Sequence, residues 1–202
     1  MTGNIPPDTL HDALAEALAL WTGAVKNRRS PLHTPVVCTW DGGAPAPRIM
    51  VLRDVRDDAS HFRFHTDARS PKVTQIANGA PVALLGYDAE ARVQLTVKGR
   101  AHVGREGDAT DAAWNASALS SRRCYLAAFA PGTQVDAPTS GLPATMLDRA
   151  PTEAESRDGR ANFAILTIEA EELEWLRLTS CGNKRAVFRR AGGTWHGQWI
   201  TP

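Results

Sequence analysis

The chain has 202 residues, of which 43% are hydrophobic and 22% charged, and its formal net charge is +1. That length allows one domain with a full core or two small ones. The near-neutral balance supplies no field that would recruit nucleic acid or an anionic membrane. Three cysteines, Cys38, Cys124 and Cys181, are too few and too scattered for a disulfide framework. They have no C-x-x-C metal spacing, and they point to a reducing cytoplasm. The opening MTGNIPPDTL has no basic region followed by an apolar stretch, and no segment reads as a membrane span.

Residues 8 to 25 are expected to form an amphipathic helix, with Asp8 as its N-cap after Pro6-Pro7. Leu10, Leu14, Leu18, Trp21 and Val25 recur at helical spacing as its apolar face. His33 to Trp40 reads as a strand, and Asp41-Gly42-Gly43-Ala44-Pro45 as a turn. A second strand follows over Arg48-Ile49-Met50-Val51-Leu52-Arg53. Its two arginines are five residues apart, so strict alternation puts them on opposite faces. They meet one ligand only if the strand twists, bulges or ends before Arg53.

Asp54 to Ser60 is a polar turn region. His61-Phe62-Arg63-Phe64-His65 alternates with the period of a half-buried strand. A helix is expected over residues 70 to 78, with Pro71 in its first turn and Val73, Ile76 and Ala77 as its apolar face. Thr66, Arg69, Ser70 and Lys72 gather hydroxyls and cations where that helix begins. Such an arrangement suits a phosphate.

Pro81 to Tyr87 reads as a buried strand. Ala91 to Val103 is a long strand with Val93, Leu95 and Val97 on one side and Arg92, Gln94, Thr96 and Lys98 on the other. Glu106 to Ala128 is helical in composition, with a break expected at Ser120 to Arg123. Residues 130 to 160 form a long connecting loop punctuated by Pro131, Pro138, Pro143 and Pro151. Strands resume over Phe163 to Ile168, Glu172 to Thr179, Arg185 to Arg190 and Thr194 to Ile200. Gly192-Gly193 makes the last hairpin turn.

In order along the chain stand an R-x-x-V-L-x strand, an F-x-F-x-T strand, an S-x-K turn, V-x-L-L and R-x-Q-L-x-V-x-G. This succession resembles the pyridoxamine 5'-phosphate oxidase family, the FMN-binding split-barrel group. The resemblance implies a mainly β fold with peripheral helices, a six-stranded antiparallel Greek-key split β-barrel. It would be a single domain over residues 1–202, flanked by an N-terminal helix within 1–30, and the closing W-I-T-P matches the family's usual ending. It further implies a homodimer with FMN at the subunit interface.

The resemblance assigns cofactor contacts to Arg48, Met50, Val51, Leu52 and Arg53, and to His65 and Thr66. Arg48, Arg69, Ser70 and Lys72 would hold the phosphate, with Arg69 standing in for a cation missing from the family's S-R-K turn, and Leu52 and Thr66 would offer backbone or hydroxyl contacts to the ring and ribityl chain. Gln94 would read the flavin ring edge, since an amide both donates and accepts. Thr139 and Ser140 would reach the flavin phosphate of the other subunit, and Trp175 and Arg185 would lie near the ring. Where the oxidases carry an R-L-H triplet against the vitamin-B6 substrate, this chain has Cys181-Gly182-Asn183.

The expectation is therefore an FMN-dependent oxidoreductase with an altered substrate site. A true pyridoxamine 5'-phosphate oxidase and a non-catalytic flavin- or haem-binding protein of the same fold are the alternatives. His11, His33, His102 and His196 are the candidate haem ligands. The sequence singles out no catalytic acid or base, and no metal site.

Overall fold

The computed structural model describes residues 7–76 and 79–202. Helix α1 (Leu10–Lys26) is capped by Thr9 rather than Asp8, the Thr9 hydroxyl accepting from the Asp12 N–H at 3.1 Å. Its buried stripe is Ala13, Ala17, Trp21 and Ala24. The predicted leucines, Leu10, Leu14 and Leu18, are only half-buried along its margins. Small side chains let the helix lie close to what it covers, and the larger ones close the seam.

Pro31–His33 forms a 3-10 turn, so β1 (Val36–Trp40) starts three residues later than expected. The single strand expected over 48–53 is two strands, β2 (Pro45–Ile49) and β3 (Leu52–Val55). The Met50 N–H donates to the Pro35 carbonyl at 3.1 Å, one step beyond the Val36–Ile49 pair, and the chain changes partner after it. β2 pairs with β1, and β3 pairs with β4 (His61–Asp67). Pro45 and Pro47 have no N–H to give a second neighbour, which suits the edge position β2 holds.

Helix α2 (Pro71–Gln75) is shorter than predicted. Val73 and Ile76 are buried as expected, and Ala77 lies outside the described residues. Strand β5 (Pro81–Asp88) alternates instead of being buried throughout, with Leu85 and Tyr87 exposed. In β6 (Val93–Gly104) the buried side is Val93, Leu95 and Val97, as the alternation predicted; Arg92 precedes the strand at φ +54. Helices α3 (Asp108–Ala116) and α4 (Leu119–Arg122) part at Ser117-Ala118, earlier than the expected break.

Residues 130–160 carry little regular structure apart from α5 (Glu153–Ser156), which Thr152 and Glu155 start with a reciprocal capping box. Two strands were expected over 163–179; one continuous β7 (Phe163–Arg177) is found. The acidic run that looked like a connection simply alternates: Glu169 and Glu171 are exposed while Ala170 and Leu173 are buried. β8 (Lys184–Ala191) and β9 (Thr194–Ile200) close the chain around Gly192-Gly193, both at positive φ as such a turn requires.

Among the described residues these nine strands, more than the six of the expected barrel, share one sheet in the order β2-β1-β5-β6-β7-β4-β3, with β8 on β7 and β9 on β8. The residues cluster into two compact units. The first comprises Met1–Phe64, Gly79–Ala101 and Thr167–Pro202; the second comprises His65–Asn78 and His102–Leu166. β4, β6 and β7 contribute residues to both.

The first unit packs Trp21, Leu32, Leu52, Phe62, Phe64, Leu84, Leu95, Trp175 and Phe188, all buried. Trp21 meets Phe62 edge-on at 5.2 Å. The second unit is built on Ala113, Trp114, Tyr125 and Phe163. There Arg122 is buried against the Trp114 ring and is satisfied by Glu153, Ser156 and the carbonyls of Asn115 and Ser117.

Candidate functional site

In the second unit, two of the expected phosphate residues, Ser70 and Lys72, come together with Thr66, which is expected at the ring and ribityl chain. Alternation along β4 buries Thr66, and Ser70 is buried as the N-cap residue of α2. The Lys72 ammonium donates to the Ser70 hydroxyl at 2.7 Å and to the Thr66 hydroxyl at 3.2 Å. A half-buried cation is thus held between two hydroxyls that can turn their O–H groups toward an anion.

Arg69 is adjacent in sequence but committed elsewhere. Its guanidinium donates to both Asp67 carboxylate oxygens, at 3.0 and 2.8 Å, and to the Ala127 carbonyl at 2.9 Å. The Asp67 hydrogen bonds hold its pKa above the ordinary arginine value. Sequence reading missed this Asp67 partner, although an aspartate two residues before an arginine at a turn was a visible signal. His65 is half-buried, its ring 4.8 Å from Phe163 in an edge contact.

Thr139 and Ser140 lie on the wall of a cavity of about 280 Å³ that Asp67, Cys124 and Phe129 also line. Their hydroxyls accept from the N–H groups of Gly141 and Leu142, which fixes the tip of the loop.

The remaining predicted residues belong to the first unit. Arg48 and Arg53 sit on separate strands at opposite ends of the hydrogen-bonded order, because the chain breaks between them. Arg48 donates to the Thr39 hydroxyl at 2.6 Å, and burial draws its pKa below the ordinary value. Met50 and Leu52 are buried and Val51 is exposed. Arg53 is half-buried, with a solvent-shielded Nε–H that has no partner among the described residues. Gln94 is half-buried on β6, opposite Tyr87.

Trp175 is fully buried, its indole N–H donating to Glu16 at 2.7 Å. Arg177, also buried, donates to the same carboxylate at 2.6 Å. No local signal in the sequence joins positions 16, 175 and 177. Arg185 pairs with Glu174 at 2.8 Å, which raises its pKa. The Cys181-Gly182-Asn183 segment is an exposed turn, and the Asn183 amide oxygen accepts from the Thr179 N–H at 3.1 Å.

A flavin mononucleotide presents a phosphate that needs a cation and hydroxyl donors. The Thr66, Ser70 and Lys72 set of the second unit has that chemistry. The candidate haem ligands are placed less suggestively. His33 shares a 2.8 Å hydrogen bond with the Ala24 carbonyl, while His11, His102 and His196 are exposed. Among the described residues there is no cluster of three or more His, Cys, Asp or Glu side chains suited to a metal ion. No helix among them is long and apolar enough to cross a membrane.

Residues 17–105 match the family model of the pyridoxamine 5'-phosphate oxidase FMN-binding domain. Among solved structures, the chain resembles a pyridoxamine 5'-phosphate oxidase-related, FMN-binding protein from Nostoc punctiforme. The TM-score is 0.70 at 22% identity, over 95% of this chain and 96% of that one. It also resembles PhzG from Burkholderia lata, crystallised with tetrahydrophenazine-1-carboxylic acid, with a TM-score of 0.68 at 18% identity, over 98% and 95% of the two chains. No curated protein matches it in sequence. At these identities the structural likeness establishes the fold, a mainly antiparallel split-barrel type, while the sequence match covers the segment that carries the Lys72 cluster. The sequence similarity of this chain to the pyridoxamine 5'-phosphate oxidase FMN-binding domain thus lies in residues 17–105, and its similarity to the solved structures lies in the fold.

Proposed function

We propose that this chain is an FMN-binding flavoprotein and acts as an FMN-dependent oxidoreductase whose substrate differs from the vitamin-B6 phosphates. The observation that carries the reading is the Lys72 ammonium seated between the Ser70 and Thr66 hydroxyls, inside the segment that matches the family. Lys72 supplies charge to the phosphate, and the two hydroxyls orient its oxygens. Once bound, the flavin supplies hydride or electron transfer at its ring; the protein supplies position and electrostatics. The altered substrate site is supported by the 181–183 turn, where neither the cation nor the imidazole of the R-L-H triplet remains. The Asn183 amide oxygen there serves the turn itself. Cys38, Cys124 and Cys181 are all free thiols, which supports residence in the reducing cytoplasm.

The test is flavin affinity. A hydrogen bond to a charged group is worth about 1.5–3 kcal/mol, so Lys72→Ala should weaken FMN roughly 10- to 100-fold. Riboflavin, which lacks the phosphate, should bind wild type and variant alike. Equal FMN affinity in the two proteins would refute the assignment. Oxygen uptake with pyridoxamine 5'-phosphate is expected to be absent from flavin-loaded protein that NADH or NADPH reduces.

Pairing of two copies is supported by one face of the first unit. On β2, Pro45, Pro47 and Ile49 stand opposite Trp40, Cys38 and Val36 of β1, and Cys38 and Val36 stand opposite Ala83 and Leu85 of β5. This patch carries no charge across three strands, with Trp40 54% and Ile49 69% exposed. A continuous apolar sheet face of this kind is an association surface. Ile49→Lys with Leu85→Lys should convert a dimer to a folded monomer in sedimentation. A wild-type monomer would remove the pairing.

A further inference from the structure

In the first unit, the last turns of α1, the bend that follows them and the hairpin turn between β5 and β6 enclose an open cavity of about 610 Å³. None of its lining residues belongs to the Lys72 cluster or to the pairing face. The volume lies within the range of small-molecule pockets. Leu20, Gly23 and Pro31 give the cavity an apolar side. Arg29 lines it from the bend, and Asp88 and Glu90 line it from the hairpin turn.

The backbone beneath these groups is fixed. One Asp88 carboxylate oxygen accepts from the Glu90 and Ala91 N–H groups at 3.0 and 2.9 Å. The Asn27 side chain accepts from the Arg29 N–H at 3.0 Å, and the Asn27 N–H donates to the Gly23 carbonyl. His33 and the Ala24 carbonyl share a 2.8 Å hydrogen bond that holds the bend to the helix. The charges themselves are unpaired. Among the described residues, the Arg29 guanidinium and the Glu90 carboxylate have no hydrogen-bond or ion-pair partner, and the second Asp88 oxygen accepts no hydrogen bond. Cation and carboxylates line one cavity without closing on each other.

Gly23 is a second, separate sign. A Cβ built on it would meet no atom within 4 Å. Glycine weakens a helix relative to almost any other residue, and here no neighbour requires it. What it leaves is open room beside Leu20. Opposite charges around an apolar surface match a zwitterion that carries a hydrocarbon body. The negative end of the α1 dipole adds to Asp88 and Glu90 and favours a cationic group on their side. A phosphate would meet two carboxylates for one guanidinium, and a plain amine would leave Arg29 without a partner.

We propose that this cavity binds a hydrophobic α-amino acid, its carboxylate on Arg29, its ammonium on Asp88 and Glu90, and its side chain over Leu20, Gly23 and Pro31. The site goes beyond the flavoprotein reading and does not rest on it.

The experiment is an NMR titration of the full chain, as purified, with L-phenylalanine, phenethylamine and 3-phenylpropionate. The three probes share a ring and differ in the charges they carry. Saturable shifts are expected at the Gly23 and Ala89 amides. Phenylalanine should bind about three- to fivefold more tightly than either single-charge analogue, the scale of an exposed ion pair. Arg29→Gln should bring phenylalanine down to the level of phenethylamine. Asp88→Asn with Glu90→Gln should bring it down to the level of 3-phenylpropionate, since Asn keeps the oxygen that holds the turn. Gly23→Leu should abolish binding of all three with Tm unchanged or raised, because its side chain fills the cavity and suits a helix. No saturable shift with phenylalanine, equal affinity for the three probes, shifts confined to amides elsewhere, or undiminished binding in Gly23→Leu overturns the proposal.

Discussion

Glu16→Ala isolates the contact that joins helix α1 to strand β7. The Glu16 carboxylate accepts from the Trp175 indole at 2.7 Å and from the Arg177 guanidinium at 2.6 Å. Trp175 is 0% and Arg177 4% exposed, so neither donor can turn to bulk water when the carboxylate is removed. Breaking a buried ion pair from one side costs about 3–5 kcal/mol, and an unmade buried N–H costs about 1–3 kcal/mol. The two figures overlap, since one carboxylate serves both donors, and Glu16 itself keeps a fifth of its side chain in solvent. A loss of about 3–4 kcal/mol is therefore expected, a large share of the roughly 5–15 kcal/mol that holds a domain together. Urea unfolding followed by tryptophan fluorescence measures it as a fall in midpoint at unchanged slope. Glu16→Gln, which keeps an acceptor but not the charge, should lose about half as much. A Glu16→Ala midpoint within 1 kcal/mol of wild type would refute the reasoning, because it would mean the two donors find water or new partners at no cost.

Three further outcomes are expected. Arg69→Ala should open the 127–141 segment to proteases while weakening FMN less than Lys72→Ala does, because Arg69 is spent on Asp67 and the Ala127 carbonyl. Burial, with Arg56 second, lowers the pKa of His61 below its ordinary value. The unfolded chain then binds the extra proton, so stability is lost as pH falls below about 6.5; His61→Gln should show a smaller drop in Tm between neutral and mildly acidic buffer. Gly99→Ala would put a Cβ 2.0 Å from the Glu169 carbonyl oxygen. Since that neighbour is backbone, a loss of at least about 1–3 kcal/mol is expected in the same urea assay.

Much of the fold was legible because the relevant signals are local. Alternation located β4 and β6, and the two-glycine turn located the last hairpin. The departures have separate causes, and each is a matter of packing that local pattern does not carry. Glu169 and Glu171 looked like a break in β7 but are the exposed half of an unbroken alternation. The leucines of α1 looked like its buried face, although the alanine stripe decides how closely the helix packs. The break in the 48–53 strand had no local marker. It follows from the two halves pairing with different strands, β2 with β1 and β3 with β4, a choice set by the path of the whole chain.

The same distinction separates two sets of side chains. Thr66, Ser70 and Lys72 lie within seven residues, so a strand end and one turn bring them together, and a reader of the sequence can find them. Asp8, Glu174, Lys184 and Trp199 span almost the whole chain, and only the paired strands β7, β8 and β9 and the start of α1 assemble them. None of the described contacts is common to the two sets. Lys184→Gln should therefore leave FMN affinity within about twofold of wild type, as a residue that shares no partner with the Lys72 set does. A loss of more than about tenfold would mean that Lys184 also reaches the cofactor, and the division between locally assembled and chain-spanning groups would fail with it.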